Sequence, residues 1–302
     1  MLFRSLALRP LTGGLTNRNV IVEVDGGAER HALRIPGIGT PLLGIVRAIE
    51  RDAAVAAAEA GVAPVVTAWI TPEGWLATEL LDASPIAPGR FAHPAGQAEI
   101  GDLLRRVHGS RAVPAIVIPS RLVELYARLA ADRSQSVSGT AEAIAVVRRI
   151  EHALAGAAAP LRLCHHDLLS GNLLDDGQRI LIVDWEYAGM GDPYFDLGNL
   201  SSQQAFDDAA IAELLRAWLQ AEPGEHEIAR VRLQRVVADL REATWSVLQE
   251  VVSTLDVDFR AFVDEYLERG FAGARAASFE DDLRLVAAGP EPRVPPVTVV
   301  AG

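Results

Sequence analysis

Residues 163–186, LCHHDLLSGNLLDDGQRILIVDWE, place several carboxylates and an amide between short apolar runs. Asp167 stands five residues before Asn172, and Asp184 follows the apolar run ILIV. Phosphoryl transfer requires mainly positioning and charge neutralisation. It needs one carboxylate to accept the proton of an attacking hydroxyl and hard oxygen ligands for magnesium. Asp167 fits the first requirement, and Asn172 with Asp184 fits the second.

Glu186 lies two residues beyond Asp184, so on a continuing strand it would share that face and add to the magnesium shell. Taken singly, such residues more often cap turns, because SGN and DDG are ordinary turn sequences. Their combination is more informative. The pattern H-x-D-x-x-x-x-N from His165 to Asn172, followed by a strand, a hairpin turn and IVDW, has the order of a kinase catalytic loop.

The N-terminal part of the chain predicts a small sheet with one helix. Strands are expected in five β-rich runs, at 7–11, 19–24, 30–35, 63–70 and 74–81. The DGG turn before the third run is a hairpin signal. Residues 45–60 are rich in alanine and lack Gly and Pro before Gly61, which favours a helix.

Most of the remaining chain predicts helices. The stretch 81–96 is rich in Pro and Gly and indicates a lobe boundary. Beyond it, apolar residues recur at three- and four-residue spacing in six segments, at 98–109, 120–133, 139–157, 207–221, 227–252 and 258–276. The proline-rich end of the chain predicts a loose tail.

These patterns predict an α+β fold of two lobes, which a chain of 302 residues is long enough to form. Residues 1–81 would form a small antiparallel-sheet lobe, and residues 82–287 a larger, mainly helical lobe. Residues 288–302 would form a flexible tail.

Composition limits the partners. The net charge is −12, and all 28 basic residues are arginine, so nucleic acid is not an expected partner, whereas a small cationic molecule is. The single cysteine, Cys164, excludes an internal disulfide and fits a reducing compartment. The apolar runs fall short of the ~20 residues of a membrane helix, and the N-terminus lacks a signal pattern, so we expect a cytoplasmic protein without a membrane span.

The runs CHHDLLSGNLL, ILIVDWEYAG and FDLGN, with GGLTNRN near the start, resemble the choline/ethanolamine kinase branch of the aminoglycoside phosphotransferase family. The similarity extends from about Leu11 to about Gly270. It implies a two-lobed, protein-kinase-like fold, which agrees with the pattern of elements above. It also implies ATP as co-substrate and Mg²⁺ as cofactor.

Roles in catalysis follow from this resemblance. Asp167 is expected to be the catalytic base. Asn172 and Asp184 are expected to bind magnesium, and Glu186 to support the metal. Structural roles are implied for His165, which would hold the catalytic loop, and for Asp196 in FDLGN, which would brace it.

A nucleotide-binding face is implied in the sheet lobe. TGGLTNRN resembles the family's phosphate-covering loop, since glycines let backbone amides approach phosphates closely. The third strand has an arginine where protein kinases have a lysine, and a glutamate on the following helix is expected to pair with it. The segment TELLD should offer backbone groups to adenine. The nucleotide-binding residues expected are Gly14, Thr16, Asn17, Arg34, Glu50, Glu79 and Leu81.

Three aromatic residues, Tyr187, Trp245 and Tyr266, come from segments that form the acceptor pocket in choline kinase-like proteins. Aromatic faces bind quaternary ammonium groups through cation–π attraction, although aromatics at helical spacing more often belong to a core. Many choline kinases have a further tryptophan one helical turn before Trp245, where this chain has Glu242. A carboxylate there would suit a primary ammonium or face solvent.

The expected function is therefore ATP- and Mg²⁺-dependent phosphorylation of the hydroxyl of a small cationic alcohol, with choline first. Ethanolamine, thiamine and an aminoglycoside are alternative acceptors within the same fold. A catalytically silent kinase-like binding protein is the alternative from another class, and the presence of Asp167, Asn172 and Asp184 argues against it.

Overall fold

The computed structural model describes residues 5–11, 16–37 and 39–297. The first strands are β1 (Leu6–Leu11), β2 (Asn17–Val24), β3 (Glu29–Pro36), β4 (Val66–Ile70) and β5 (Trp75–Glu79). They form one antiparallel sheet in the order β1, β2, β3, β5, β4. This sheet corresponds to the predicted small lobe.

Alternation along β3 sends two neighbouring side chains to opposite faces of this sheet. Leu33 packs with Val20 and Ala77 in a small apolar cluster. Because successive side chains on a strand point to opposite faces, Arg34 projects from the other side. There its guanidinium meets Glu50 of helix α1 (Arg47–Glu59), with 2.7 Å between Nη2 and Oε2.

Helix α1 is built largely from alanine, the residue with the highest helix propensity. Its small buried side chains, among them Ala53 and Ala57, belong to the same apolar cluster as Trp185, which lies more than a hundred residues later in the chain. The small alanine side chains thus favour helix formation and also allow α1 to pack closely against this cluster. Helix α1 therefore joins the sheet to the helical part of the molecule.

Helices make up most of the chain beyond the sheet. They are α2 (Pro94–His108), α3 (Pro119–Ala131), α4 (Thr140–Ala155), α5 (Pro193–Gln203), α6 (Asp208–Leu219), α7 (Glu225–Val252), α8 (Phe259–Ala274) and α9 (Phe279–Ala288). Helix α7 is the central element, since α3, α5, α8 and α9 all pack against it. Its Leu240 and Val247 lie in a second large apolar cluster.

Further strands, all of two or three residues, lie outside this sheet. They are β6 (Ser84–Pro85), β7 (Arg162–Cys164), β8 (Leu173–Asp175), β9 (Ile180–Ile182) and β10 (Gly189–Gly191). Strands β8 and β9 form an antiparallel hairpin with β6 alongside β8, and β7 pairs with β10. The loop with Asp167 runs from β7 to β8, and Asp184 follows β9.

The predicted fold class is confirmed by this antiparallel sheet followed by a mainly helical part. The sequence did not predict α5 or α9. Nearly every residue of α5 is buried, so the helix has no polar stripe and no three- and four-residue periodicity to detect. The apolar run ILIV forms a strand that already ends at Ile182, so Asp184 lies beyond it.

The division of the chain at residue 81 and the looseness of the tail stay predictions. In the part of the tail that the structure describes, the Arg293 guanidinium forms an ion pair with Glu227 of α7. The hydroxyl of Tyr194 donates to the Arg293 carbonyl oxygen at 2.8 Å. Over the described ranges, no helix combines the length and apolarity that a membrane crossing requires.

Glycine at position 198 permits α5 to lie directly against α7. A Cβ atom at Gly198 would lie 2.6 Å from the Arg235 backbone nitrogen and 2.7 Å from the Gln234 carbonyl carbon. Both atoms belong to the backbone of α7 and cannot move aside as a flexible side chain could. The spacing of these two helices therefore depends on the missing side chain.

We predict that Gly198→Ala lowers the free energy of unfolding by about 1–3 kcal/mol, the usual cost of overpacking a core. At a helix position without such a clash, a change from glycine to alanine would instead stabilise the folded protein by about 1 kcal/mol. Urea unfolding followed by circular dichroism measures the difference. Gly171→Ala is the matched control, because a Cβ there meets nothing within 4 Å. Equal stability of Gly198→Ala and the wild type would contradict the close packing.

Candidate active site

A buried carboxylate, Asp196 of α5, holds the backbone of the loop that follows β7. It accepts hydrogen bonds from the backbone N–H groups of His165 (2.7 Å) and His166 (2.8 Å) and from Nε2 of His108 (3.1 Å). Burial alone would raise the pKa of Asp196, but the hydrogen bonds from His108 and from the His165 amide lower it to about 2. The carboxylate is therefore ionised.

The side chain of His108, on α2, is itself oriented by Trp218. The indole N–H of Trp218 donates to Nδ1 of His108 at 2.8 Å, so the proton of the neutral imidazole lies on Nε2, which faces Asp196. Asn199, one turn after Asp196 on α5, accepts from the Leu168 amide at 2.6 Å. Helix α5 thus anchors three backbone amides of the loop, those of His165, His166 and Leu168.

The two histidines of the loop are fully buried and act as supports. Nε2 of His165 donates to the Val183 carbonyl oxygen (3.0 Å), and Nδ1 accepts from the Asp167 amide (3.2 Å). Burial lowers the pKa of His165 and lowers that of His166 to about 4, so both are neutral near pH 7. His166 has a φ of 66°, a left-handed conformation that the Asp196 contact holds in place.

The predicted base, Asp167, lies beside the predicted metal ligand Asn172. The amide nitrogen of Asn172 donates to the Asp167 carbonyl (2.9 Å) and to Oδ2 of its carboxylate (3.1 Å). The guanidinium of Arg241 lies 3.5 Å from Oδ1. Burial and the charge of Glu242 raise the pKa of Asp167 to about 7, despite the opposing effect of Arg241.

Asp184 differs from the other carboxylates of the site in having a buried oxygen, Oδ1, that accepts no hydrogen bond from the residues that the structure describes. The residue has a φ of 65°, and it leads into a 3₁₀ turn, Trp185–Tyr187. Burial, followed by the charges of Glu186 and Glu50, raises the pKa of Asp184 well above its ordinary value.

Magnesium fits this donor set. Mg²⁺ prefers carboxylate and carbonyl oxygens, and a buried carboxylate oxygen without a hydrogen bond is stabilised by a cation. The amide nitrogen of Asn172 is engaged with Asp167, so its carbonyl oxygen is the atom left for a metal. Asp184 and Asn172 line the same cavity.

Glu186 is 2% exposed and both of its carboxylate oxygens are already engaged. Oε1 accepts from the Thr16 hydroxyl, while Oε2 accepts from the Asn17 amide (2.8 Å) and from Arg47 (3.0 Å). Because the strand ends before Glu186, strand alternation does not decide which way it points. Thr16 and Asn17, predicted to bind nucleotide, thus contact a predicted metal ligand.

Arg34 and Glu50 form the predicted ion pair, and Arg47 completes a larger cluster. Arg34 also donates to the Gly74 carbonyl at 3.0 Å. Nη1 of Arg47 lies 2.7 Å from the same Glu50 oxygen that Arg34 contacts. Burial lowers the pKa of Arg34 and raises that of Glu50, while the charge of each partner opposes the shift.

One cavity of about 630 Å³ brings most of the predicted residues together. Its lining includes Thr16, Arg34, Glu50, Glu79, Leu81, Asp167, Asn172, Asp184, Glu186, Tyr187, Glu242, Trp245 and Tyr266. Three predicted residues, Asn17, His165 and Asp196, do not line it, and Gly14 falls outside the described residues. The backbone N–H of Glu79 already donates to the Val65 carbonyl at 2.9 Å, so this donor is not left for a base.

Among the aromatic side chains of the cavity, Trp245 contacts Tyr187, and an arginine lies over each of the two tyrosine rings. The indole N–H of Trp245 donates to the Tyr187 hydroxyl at 2.9 Å. The Arg241 guanidinium carbon lies 5.7 Å from the centre of the Tyr187 ring, and that of Arg269 lies 4.9 Å from the Tyr266 ring. Part of the aromatic surface is therefore already covered by cations of the protein.

Glu242 faces this cavity and is only 7% exposed, which decides between the two positions expected for it. Its Oε1 accepts a hydrogen bond from Arg241 of the same helix. Arg241 thus lies between the carboxylates of Asp167 and Glu242. A buried cation between two carboxylates reduces their mutual repulsion.

Sequence reasoning did not identify Arg47, Arg241, His108 or Asn199. In the sequence, Arg47 and Arg241 resemble solvated helix charges, because their partners lie in distant segments. The one available signal for Arg47 was Glu50 at the i+3 position of the same predicted helix. Asn199 belongs to the motif FDLGN, in which only Asp196 was assigned a role.

Comparisons with known proteins agree with this geometry. The profile of the Phosphotransferase enzyme family matches residues 7–231. The crystal structure of a choline/ethanolamine kinase family protein from Mesorhizobium loti is 32% identical, with a TM-score of 0.79, and the match covers 94% of this chain and 93% of that one. This neighbour confirms the two-lobed, kinase-like architecture.

Two curated relatives match over shorter regions. Protein LicA of Haemophilus influenzae is 29% identical over 96 residues, which cover 30% of this chain and 36% of LicA. Ethanolamine kinase 2 of Homo sapiens is 24% identical over 180 residues, which cover 52% of this chain and 47% of that protein. The matches thus span less than half the length of either relative. The family profile and the full-length similarity to the Mesorhizobium loti protein show that the chain belongs to the phosphotransferase enzyme family, in its choline/ethanolamine kinase branch.

Proposed function

We propose that this protein transfers the γ-phosphoryl group of ATP, in a Mg²⁺-dependent reaction, to the hydroxyl of a small cationic alcohol. The observation that carries the proposal is the shared cavity. In it, the Asp167–Asn172 pair and Asp184, whose buried Oδ1 has no hydrogen-bond partner among the described residues, share one lining with Arg34 and with the aromatic side chains of Tyr187, Trp245 and Tyr266. Membership of the choline/ethanolamine kinase branch supports the same reaction.

Asp167 is the proposed base. Its carboxylate would accept the proton of the acceptor hydroxyl as the oxygen attacks phosphorus, and the Asn172 amide would hold that carboxylate in orientation. Arg34 would bind phosphate oxygens while Glu50 fixes its guanidinium. The nucleotide would lie against the sheet, where Thr16, Glu79 and Leu81 line the cavity.

Asp184 and Asn172, with Glu186, would hold magnesium, which when bound neutralises charge on the phosphoryl oxygens. The charge balance of the cavity supports this assignment. Its lining has six acidic side chains, Glu50, Glu79, Asp167, Asp184, Glu186 and Glu242, against two arginines, Arg34 and Arg241. Such an excess of negative charge favours both a divalent cation and a cationic acceptor.

The acceptor is proposed to bind at Tyr187, Trp245 and Tyr266. Choline, the acceptor first expected, would place its quaternary ammonium against these aromatic faces. A specific observation favours ethanolamine as a second candidate. Glu242 presents a nearly buried carboxylate to the same cavity, and an ammonium that has N–H groups can donate to it, whereas a quaternary ammonium cannot.

The primary test is ATP turnover by the purified protein with choline, ethanolamine, thiamine and an aminoglycoside in separate assays. We predict that Asp167→Asn lowers acceptor-stimulated kcat by about 10²- to 10⁴-fold, the usual contribution of a general base. Asp176→Asn is the matched control, since this aspartate lies in the exposed hairpin turn and contacts only Arg179 and nearby amides. Turnover with none of the acceptors would refute the activity, and full turnover by Asp167→Asn would refute the base.

We predict that Trp245→Ala raises the KM for choline by an order of magnitude or more, because a desolvated cation–π contact contributes ~2 kcal/mol. The KM for ATP should stay within about twofold of the wild type, since this change lies at the acceptor end. Initial rates at varied choline and saturating ATP measure the effect. Trp69→Ala, on β4 at the far edge of the sheet, is the control. An unchanged choline KM would assign Trp245 to the core alone.

We predict that Glu242→Gln lowers kcat/KM for ethanolamine by about tenfold or more, because a hydrogen bond between charged groups contributes 1.5–3 kcal/mol. The value for choline should fall much less, since its ammonium has no N–H to lose a partner. The ratio of the two values, measured in one competition assay, is the readout. Glu265→Gln, on an exposed part of α8, is the control. Parallel losses for both substrates would exclude Glu242 as the basis of discrimination.

A further inference from the structure

Arg47, the first residue of α1, connects three side chains from three separate elements. Its Nη1 donates to Glu50 of α1 (2.7 Å) and to Glu186 of the 3₁₀ turn after Asp184 (3.0 Å). Its Nη2 donates to Oδ1 of Asn17, the first residue of β2, at 2.8 Å. The guanidinium thus lies where the sheet, helix α1 and the metal-side turn meet.

The charges at this meeting point require a cation. The side chains of Glu50 and Glu186 are 3% and 2% exposed, and both approach the same nitrogen of Arg47. Arg34 compensates Glu50 but forms no ion pair with Glu186 among the described residues. The other donors to Glu186 are neutral, the Thr16 hydroxyl and the Asn17 amide. Arg47 is therefore the side chain that neutralises Glu186 here.

The shape of the arginine side chain is as important as its charge. A planar fork can direct one nitrogen to two carboxylates and the other to an amide oxygen, whereas a lysine ammonium is a single point. Arg47 does not line the cavity, so it is not placed to contact a substrate. Arg47 also shares the Glu50 carboxylate with Arg34, so one acidic side chain holds both guanidinium groups.

We propose that Arg47 is a positioning residue for nucleotide phosphate binding, an inference that rests on the proposed function. By holding Asn17, Glu50 and Glu186 in one arrangement, it fixes the distance between the strand that follows the phosphate-covering segment and the turn that follows Asp184. Without it, the buried Glu186 carboxylate retains only neutral donors and leaves this position.

Two variants and a matched control test the proposal. Arg47→Met removes the positive charge and the planar guanidinium but keeps the length of the side chain. Arg47→Lys keeps the positive charge but not the planar guanidinium. Arg51→Met is the control, because it changes an arginine one turn further along α1. Arg51 contacts Asp52 and the Trp69 ring and none of the three partners of Arg47. The readouts are the KM values for Mg·ATP and for the acceptor, calorimetric binding of ADP, and hydrogen exchange of the nucleotide-free protein.

We expect Arg47→Met to raise the KM for Mg·ATP and the Kd for ADP by about tenfold or more, as loss of one charge-assisted contact predicts. The acceptor KM should stay within about twofold. Peptides covering residues 17–24 and 184–188 should exchange faster in the nucleotide-free variant, and Arg47→Lys should recover only part of each change. Arg51→Met should match the wild type in every readout.

Three results would overturn the proposal. They are unchanged ADP binding in Arg47→Met, an equal rise in both KM values, and full recovery by Arg47→Lys. If the wild type turns over no acceptor, the proposed function fails, but ADP binding and hydrogen exchange still decide whether Arg47 positions the nucleotide side.

Discussion

The contact on which the rest of this site depends is the buried carboxylate of Asp196. Its oxygens accept from two consecutive backbone amides, those of His165 and His166, and a further donor, His108, arrives from α2. Consecutive amides can converge on one carboxylate only if the chain bends sharply, and the left-handed conformation of His166 provides that bend. The direction in which Asp167 leaves the loop is thus set by a residue that does not line the cavity.

The position of Asp196 depends in turn on how helices α5 and α7 pack together. Asp196 and Asn199 reach the loop because α5 lies against α7 without an intervening side chain at Gly198. Helix α7 in turn brings Arg241 to the Asp167 carboxylate and places Glu242 and Trp245 in the cavity lining. Because α5 and α7 are in direct backbone contact, a shift of one helix would alter both the support of the loop and the wall of the cavity.

The sequence predicted the parts of this site whose chemistry is local. The spacing from Asp167 to Asn172 and the position of Asp184 after an apolar run were readable because they lie within about twenty residues of one another. The Arg34–Glu50 pair was predicted from the resemblance to the family, because a lone glutamate on a helix otherwise looks like a charge in water.

The rest was not readable, because it depends on contacts between distant segments. Arg47 meets Glu186 across 139 positions of sequence, and Arg241 meets Asp167 across 74. In the sequence alone, a buried charged residue of this kind cannot be distinguished from one exposed to solvent. Helix α5 was not predicted from the sequence for a related reason. A helix that is buried on all sides has no polar face, so its residues show no helical periodicity.

The positive groups around the cavity have one further consequence. Every cationic side chain there is a guanidinium, and the chain contains no lysine at any position. A guanidinium stays protonated at all ordinary pH values and is a poor nucleophile, whereas a lysine amine can lose its proton and react. Nucleotide analogues that label kinases by acylating or sulfonylating an active-site amine therefore have no target in this protein. Covalent labelling of the proposed nucleotide site would have to be directed at other side chains.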